Sequence, residues 1–323
     1  MSVDTKHKLY TAMLPRWQLV SDAVAGSHAV KAQSTVYLPM PNKTDTTPEN
    51  KARYEIYLNR AMFVEVTKTT AQSLIGLAFK TDPALEATGL ELLEFDIDGA
   101  GNSIYQQSQQ ALSDLLKRGR CGLLVDYPQT DGGASIAAMR AQGIKPTVTK
   151  YTALDIINWH SEKIGGQMLL TLVVLSEIVQ EPVVGNLFAV TDVQQYRALR
   201  LIDGVYTVEV WRDGTIVETY EPRQSNGQAW PIIPFLFVGA ESNTPDSTAI
   251  PLESIATVNL HHYLNSADYE DSVYRVGQVQ PYISGLDAEW RDHLEKTGVR
   301  IGSPTALMLP QGGQFGFAQA QPN

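Results

Sequence analysis

The stretch that most constrains the fold is ESIATVNLHHYLNSADYEDSVYRV, residues 253–276, which contains neither glycine nor proline. Pro251 lies just before this stretch and Gly277 directly follows it. Both residues are typical of helix boundaries. The pattern therefore predicts a single helix about 36 Å long, at about 1.5 Å per residue.

A helix of this sequence presents three different sides. One apolar stripe contains Ile255, Val258, His262, Ser266, Tyr269, Val273 and Val276. An adjacent apolar stripe contains Ala256, Leu260, Tyr263, Ala267 and Tyr274. The third side is mainly polar and carries Thr257, His261, Leu264, Asp268, Asp271 and Arg275. Two apolar stripes imply two packing surfaces, and a ring of identical subunits around a wet hole provides them.

Two adjacent histidines on this helix invite a metal-site interpretation. His261 and His262 point about 100° apart, because neighbouring residues do not share a helix face. Neither has a second histidine three or four positions away. They therefore do not bind one metal jointly from this helix, and His262 is predicted to be a hydrogen-bonded packing residue. On this interpretation, His262→Ala is the more destabilising of the two alanine substitutions.

Other helices are predicted upstream. Residues 8–31 are helical in composition, with a break expected at Pro15 between two short helices. A Thr-Thr-Pro-Glu start predicts a helix over 48–79. A Ser-x-x-Gln capping box predicts another helix over 103–118, which Gly119 ends.

Residues 147–240 have the composition of strands, with many β-branched and aromatic side chains. The Asp-Gly pairs at 203–204 and 213–214 predict tight hairpins. The segment CGLLVDYP, residues 121–128, is predicted to be a buried strand that a proline ends. Helices followed by an antiparallel meander indicate an α+β fold.

The turn at Gly99 and Gly101 supports an alternative function. The segment LEFDIDGAGNSIYQQ, residues 93–107, has the order of a dinucleotide-binding loop, but Ile104 stands where the third glycine belongs. A capped turn is the simpler interpretation. A nucleotide- or metal-dependent enzyme, using this turn or the region of His261 and His262, stays open as the alternative. The sequence contains no Walker loop, HExxH, GxSxG or paired cysteines, so a complete set of catalytic parts is not assigned.

Charge and cysteine content exclude several classes of protein. The net charge of −10 argues against a large phosphate-binding surface. Cys121 is the single cysteine, which rules out intrachain disulfides and cysteine-built zinc sites, and we expect it in the apolar core. The apolar runs fall far short of the roughly 20 residues that span a bilayer, and Met1 is followed by polar residues. We therefore expect a soluble protein made in a cytoplasm, with no membrane partner.

Four segments resemble the portal, or head-to-tail connector, proteins of tailed bacteriophages. They are YEIYLNRAMFVEVTKTTAQSLIGLAFKTDP (54–83), GRCGLLVDYP (119–128), DIINW (155–159) and PLESIATVNLHHYLNSADYEDSVYRVGQVQPYISG (251–285). The four follow the family's order, and the resemblance runs over most of the chain. It implies three regions: a wing-like α+β domain (1–250), a first stem helix (251–277) and a clip-like region (278–323).

The resemblance also implies a function. Portal proteins form a ring, expected to be a homododecamer, at one capsid vertex, where DNA is packaged and later ejected and where head and tail join. The implied partners are other copies of the chain, the terminase motor, a head-tail adaptor, and the major capsid and scaffolding proteins. Double-stranded DNA passes through without tight binding. The implied location is the virion, after assembly in the bacterial host cytoplasm, and no enzymatic activity or cofactor is expected.

Roles for residues of the long helix follow from the resemblance. Asp268 and Asp271, with Glu270, are the candidate lining of the DNA channel, since an acidic wall keeps a polyanion centred by repulsion. The alternative, that they are ordinary solvated helix charges, stays open. The candidate stem-packing residues are Ile255, Val258, His262, Tyr269 and Val273.

In the clip-like region, residues 287–298 predict a short helix, and residues 306–310 and 314–317 predict strands flanking a Gly-Gly turn. Exposed strands at the end of a ring suit edge pairing with a neighbour or a docking protein. The candidate docking residues are Trp290, Leu307, Leu309 and Phe315. An ordinary small α+β lobe is the alternative.

Portal proteins usually continue into a second stem helix and a crown, whereas this sequence ends at Asn323. A stem helix without that neighbour exposes an apolar surface. We therefore expect residues 1–323 alone to be mostly monomeric or heterogeneous, with a ring restored by the C-terminal remainder.

Overall fold

The computed structural model describes residues 2–81, 91–127, 145–183, 185–186, 188–224, 226–277, 280–285, 287–297, 309 and 311–318. The fold is α+β with antiparallel sheets, as predicted. The chain divides into two compact units. The first contains Met1–Ala32 and Val64–Leu260, and the second contains Gln33–Phe63 and His261–Asn323. These units differ from the regions predicted at 250 and 277, because residues 33–63 group with the C-terminal part of the chain.

The helices are α1 (Lys8–Ala25), α2 (Ser27–Ala32), α3 (Pro48–Arg60), α4 (Val66–Ala78), α5 (Glu91–Phe95), α6 (Ile104–Arg118), α7 (Glu253–Gly277) and α8 (Ala288–Thr297). The strands are β1 (Arg120–Asp126), β2 (Thr147–Thr152), β3 (Ile156–Ile164), β4 (Gln167–Pro182), β5 (Val190–Ile202), β6 (Val205–Arg212), β7 (Thr215–Tyr220), β8 (Phe235–Gly239), β9 (Gln280–Ser284) and β10 (Gln314–Ala318).

The first unit contains two antiparallel sheets, a five-stranded meander in the order β3-β4-β5-β6-β7 and a three-stranded sheet in the order β2-β1-β8. Asp203 and Gly204 both have positive φ, as do Asp213 and Gly214. Positive φ at both central residues is the geometry of the tight hairpin turn that Asp-Gly favours. The predicted meander and both hairpins are therefore confirmed.

Helix α6 begins and ends where the sequence predicts. The Ser103 side chain accepts a hydrogen bond from the Gln106 N–H, and the Gln106 side chain accepts one from the Ser103 N–H, so the capping box is present. Gly119 ends the helix with φ of 77°. A Cβ at Gly119 would overlap the backbone carbonyl of Ala249, so this position requires glycine for space as well as conformation. Cys121 follows in β1 and is buried as predicted, and burial raises the pKa of its thiol to about 11.

The predicted break at Pro15 is wrong. Helix α1 continues through Pro15, and the chain breaks at Gly26, where φ is 101°. Pro15 lies on the exposed side of the helix, whereas Trp17 and Val20 are buried on the opposite side. Burial of such side chains compensates for the one hydrogen bond that an internal proline removes.

The single helix predicted over 48–79 is also wrong, because α3 ends at Arg60 and α4 begins at Val66. In the second unit, the Met62 N–H donates to Ser266 Oγ, which also donates to the Met62 carbonyl. In the first unit, the Asn259 side chain donates to the carbonyl of Val64. Side chains of α7 thus satisfy backbone groups that a continuous helix would have paired internally.

Candidate functional site

Helix α7 is the element that the sequence marked for function, and its two apolar stripes differ in burial. Ala256, Leu260, Tyr263 and Ala267 of the second stripe are buried. The candidate stem-packing residues behave differently. Val258, Tyr269 and Val273 are 68%, 67% and 49% exposed, His262 is exposed and Ile255 is half-buried. Among the residues that the structure describes, only one of the two predicted packing surfaces is therefore covered.

The acidic side of α7 contacts helix α3 within the second unit. The Tyr57 hydroxyl donates to Asp268 Oδ1 at 2.6 Å. Asp271 Oδ2 lies 2.7 Å from Arg275 Nη2 and 3.9 Å from Arg53 Nη2. The sequence had placed these carboxylates on an open polar side, and the structure instead brings α3 against them. Asp268 stays exposed and Asp271 is half-buried, as is Glu270.

A cation–π contact extends this arrangement towards the end of α7. The Arg60 guanidinium lies 3.0 Å from the centroid of the Tyr274 ring. On α3, the contacting residues 53, 57 and 60 follow helical spacing, and so do their partners 268, 271 and 274 on α7. We call these six residues the polar seam.

Burial of Tyr57 shapes the electrostatics of the polar seam. Burial raises the pKa of the Tyr57 hydroxyl well above its ordinary range, and the hydrogen bond to Asp268 raises this pKa further. The phenol therefore stays neutral and donates its hydrogen to Asp268 Oδ1. Burial also raises the pKa of the neighbouring Tyr263 to about 12.

The depression beside the polar seam is too small for a substrate. Its lining consists of Pro41, Asn50, Arg53, Tyr54, Tyr57 and Asp271. It encloses about 10 Å³, which is about the space that one water molecule requires. The arrangement at these carboxylates therefore suits packing and charge placement.

A larger open depression, of about 430 Å³, lies on the five-stranded sheet. Arg197 and Arg212 line it, and both are paired. Arg197 Nε lies 3.0 Å from Glu177 Oε1, and Arg212 Nη1 lies 2.5 Å from Glu181 Oε1. Neither guanidinium is left to bind an anionic ligand.

The glycine turn of the alternative interpretation is held by its own carboxylates. Gly99 and Gly101 have φ of 78° and 89°, as a turn requires. Asp98 accepts a hydrogen bond from the N–H of Ala100, and Asp96 accepts one from the N–H of Gly101, both at 2.9 Å. A phosphate-binding loop needs such N–H groups for the ligand. Here they already have carboxylate acceptors.

The histidines of α7 show no metal-binding arrangement. His261 and His262 are both exposed. Across the part of the chain that the structure describes, no group of three or more His, Cys, Asp or Glu side chains is placed to hold a metal ion. Among the same residues, no helix has the length and apolar character needed to span a bilayer.

The C-terminal region contains the predicted helix, α8, and a hairpin-like pair of strands. Strand β10 pairs with β9 in antiparallel register, with Phe315 opposite Ile283. Among the candidate docking residues, Trp290, Leu309 and Phe315 are half-buried, and Leu307 lies outside the described residues. The strand predicted over 306–310 also falls outside the described residues except at Leu309. The predicted strand over 314–317 is confirmed by β10.

Comparison with known proteins adds one match. The family described as a domain of unknown function, DUF4055, matches residues 251–323, which span α7 and the region that follows it. No curated protein matches the chain.

One residue of α7 that the sequence did not single out is Asn259. It is only 4% exposed, and its side chain accepts from the N–H and hydroxyl of Thr67 while donating to the carbonyl of Val64. The one available signal was a polar residue beside the buried stripe. Such a position indicates a buried polar group, but its partners lie nearly two hundred residues away in the chain.

Proposed function

We propose that this chain is the subunit of a portal-like ring that conducts double-stranded DNA through one vertex of a phage capsid. Four sequence segments in the family's order support the proposal. The observed order of elements also supports it: an α+β region, a long helix, and a short helix with a strand pair. The fold alone does not imply the function, so the support must come from the specific residues of α7.

The observation that carries the proposal is the exposed apolar stripe on α7. Val258, Tyr269 and Val273 are all at least 49% exposed. They lie about 140° around the helix axis from the buried stripe, at about 100° per residue. Contiguous apolar surface on a folded helix marks an interaction site. A neighbouring copy in a ring is the partner that the proposal assigns to it.

Charge supports a conduit. A channel must let DNA move, and each Lys or Arg that neutralises a phosphate adds affinity that a moving strand has to break. The chain carries a net charge of −10. In the proposal, Asp268 contributes most to the acidic lining, because it is exposed. Asp271 contributes less, since Arg53 and Arg275 share its charge.

The proposed partners follow from the same assignment. The terminase motor and a head-tail adaptor would dock on the region after α7, where Tyr282 and Phe317 are 51% and 54% exposed. The half-buried Trp290 and Phe315 would support that surface. Capsid and scaffolding proteins would surround the ring in the virion.

Particle mass tests the proposal. Native mass spectrometry and negative-stain images of the full-length protein should show a large closed ring. A monomer whose stability depends on nucleotide or metal would contradict the proposal and favour the enzyme alternative.

A matched pair of variants tests the stripe itself. Val273→Asp places a charge on the exposed apolar stripe and should abolish ring formation. Ser272→Asp adds the same charge at the neighbouring exposed position, about 100° around the helix, and should leave the ring intact. Equal effects of the two variants would remove the stripe from the interface.

A further inference from the structure

Strands β4 and β5 extend beyond the rest of their sheet. Strand β3 pairs with β4 only as far as Leu175, and β6 pairs with β5 only from Tyr196 onwards. Among the strands that the structure describes, residues 177–182 and 190–195 therefore pair only with each other. These six-residue stretches form a two-stranded arm about 20 Å long, at about 3.3 Å per residue. A two-stranded extension is less stable than the sheet from which it projects, so a partner would stabilise the arm.

The tip of the arm presents an aromatic side chain. Phe188 is 98% exposed. Asn186 Oδ1 accepts a hydrogen bond from the N–H of Phe188, and the N–H of Val183 donates to the carbonyl of Ala189. Ile178 and Val190 are 68% and 58% exposed. The cross-strand register places these two side chains on the same face of the arm.

The arm is also acidic. Residues 176–195 contain Glu177, Glu181 and Asp192 and no lysine or arginine. Glu177 and Glu181 pair with arginines from the body of the sheet. Asp192 is exposed and accepts a hydrogen bond from the Gln180 side chain. The outer part of the arm thus combines apolar side chains with negative charge.

Helix α4 has the complementary surface. Leu74 and Leu77 are 41% and 69% exposed. These two side chains are three residues apart on α4 and so lie on the same side of the helix. From Val66 to Lys80 the chain contains two lysines and no carboxylate, and Lys80 is exposed.

We propose that the arm of one copy docks on α4 of the next copy. Phe188 packs against Leu74 and Leu77, and Asp192 faces Lys80. The arm and α4 are different surfaces, so the contact is head-to-tail and closes a ring when the rotation allows it. The inference rests on the proposed ring for this closure and adds to it the residues that join neighbouring subunits.

Disulfide trapping between two singly substituted chains tests the contact. Cys121 is the single native cysteine and is buried, so introduced thiols react without competition. One chain carries Phe188→Cys and the other Leu77→Cys, which restricts the reaction to contacts between copies. Mixing and mild oxidation should give a covalent pair. The control is Met168→Cys, which is 67% exposed at the opposite end of β4 and should give no pair with Leu77→Cys.

Association measurements test the same contact energetically. Phe188→Ser should weaken self-association about tenfold to a hundredfold, the loss expected when a buried aromatic side chain is removed from an interface. Met168→Ser should leave association unchanged. Asp192→Lys should weaken association at low salt, and Lys80→Asp in the same chain should restore it, since the swapped charges attract again.

The outcomes separate this inference from the proposed function. Rings that form but give no cross-link between positions 188 and 77 would contradict the arm contact and leave the proposed ring supported. Cross-linked pairs or open filaments without a closed ring would contradict the proposed ring and leave the arm contact supported. Full-length protein that stays monomeric at high concentration and gives no cross-link would contradict both the arm contact and the ring.

Discussion

Replacement of Asn259 by alanine tests how α7 holds the start of α4. The Asn259 side chain accepts from the Thr67 N–H at 3.1 Å and from the Thr67 hydroxyl at 2.9 Å, and it donates to the Val64 carbonyl at 2.9 Å. Asn259 is 4% exposed and Thr67 is fully buried. Asn259→Ala therefore removes three hydrogen bonds from a site that water does not reach freely.

The largest cost of this change falls on the Thr67 amide. A buried N–H that loses its acceptor costs about 1–3 kcal/mol. The Val64 carbonyl recovers part of its loss from water, because Val64 is 43% exposed. Alanine also favours the helix over asparagine by about 0.5 kcal/mol. The remaining loss at the Val64 carbonyl and the gain in helix propensity nearly cancel. The cost at the Thr67 amide therefore sets the result, and the free energy of unfolding should fall by about 1–3 kcal/mol.

Urea denaturation followed by circular dichroism measures this loss, and Asn265→Ala is the matched control. Asn265 is exposed on the same helix, so its replacement should change the free energy of unfolding by less than about 0.5 kcal/mol. Hydrogen exchange at the Thr67 amide should accelerate in Asn259→Ala alone. Equal effects of the two variants, or unchanged Thr67 exchange, would refute this account of the α4 start.

Three further predictions concern other side chains of the second unit. Folding raises the pKa of Tyr57, so the phenol ionises first in the unfolded chain and the free energy of unfolding should fall as pH rises above about 10. Tyr57→Phe should make that fall shallower, as measured by urea titrations across about pH 9–11. Converting Asp268 and Asp271 to Lys changes the charge of these two positions from −2 to +2 per subunit, so rings should retain duplex DNA at low salt in a filter-binding salt series. The same change should lower the free energy of unfolding by about 1–2 kcal/mol, since Tyr57 loses its acceptor. Double-lysine rings that do not bind DNA would contradict the proposed channel lining. His261→Ala and His262→Ala should leave metal content unchanged by elemental analysis and stability within about 0.5 kcal/mol, because both side chains are exposed; stoichiometric metal lost in both variants would contradict this.

The double-lysine prediction differs from what the sequence alone supports. On an open polar side, the two substitutions would leave the fold untouched. The contacts of Asp268 with Tyr57 and of Asp271 with Arg53 add a stability cost to the same change. The sequence also led us to expect that His262→Ala would be more destabilising than His261→Ala. The structure removes the reason for that difference, since the His262 side chain is exposed.

Local signals account for the elements that were predicted correctly. The capping box and Gly119 of α6, the two Asp-Gly turns and the uninterrupted run of α7 each depend on residues within a few positions of one another. Their physical basis is backbone conformation and short-range hydrogen bonding, both of which depend on residues that are close together in the sequence. The same reasoning placed β10 and α8.

The sequence by itself determined that the chain is α+β, that α7 is a long helix with two apolar sides, and that Cys121 lies in a core. Only the tertiary structure decided which apolar side of α7 is covered, where the helix predicted over 48–79 breaks, and that the acidic side meets α3. These outcomes depend on pairs such as Tyr57 with Asp268 and Thr67 with Asn259, which lie 211 and 192 residues apart. Helix periodicity states which side chains share a face, but the partner of that face is chosen by packing and by the need to satisfy buried polar groups.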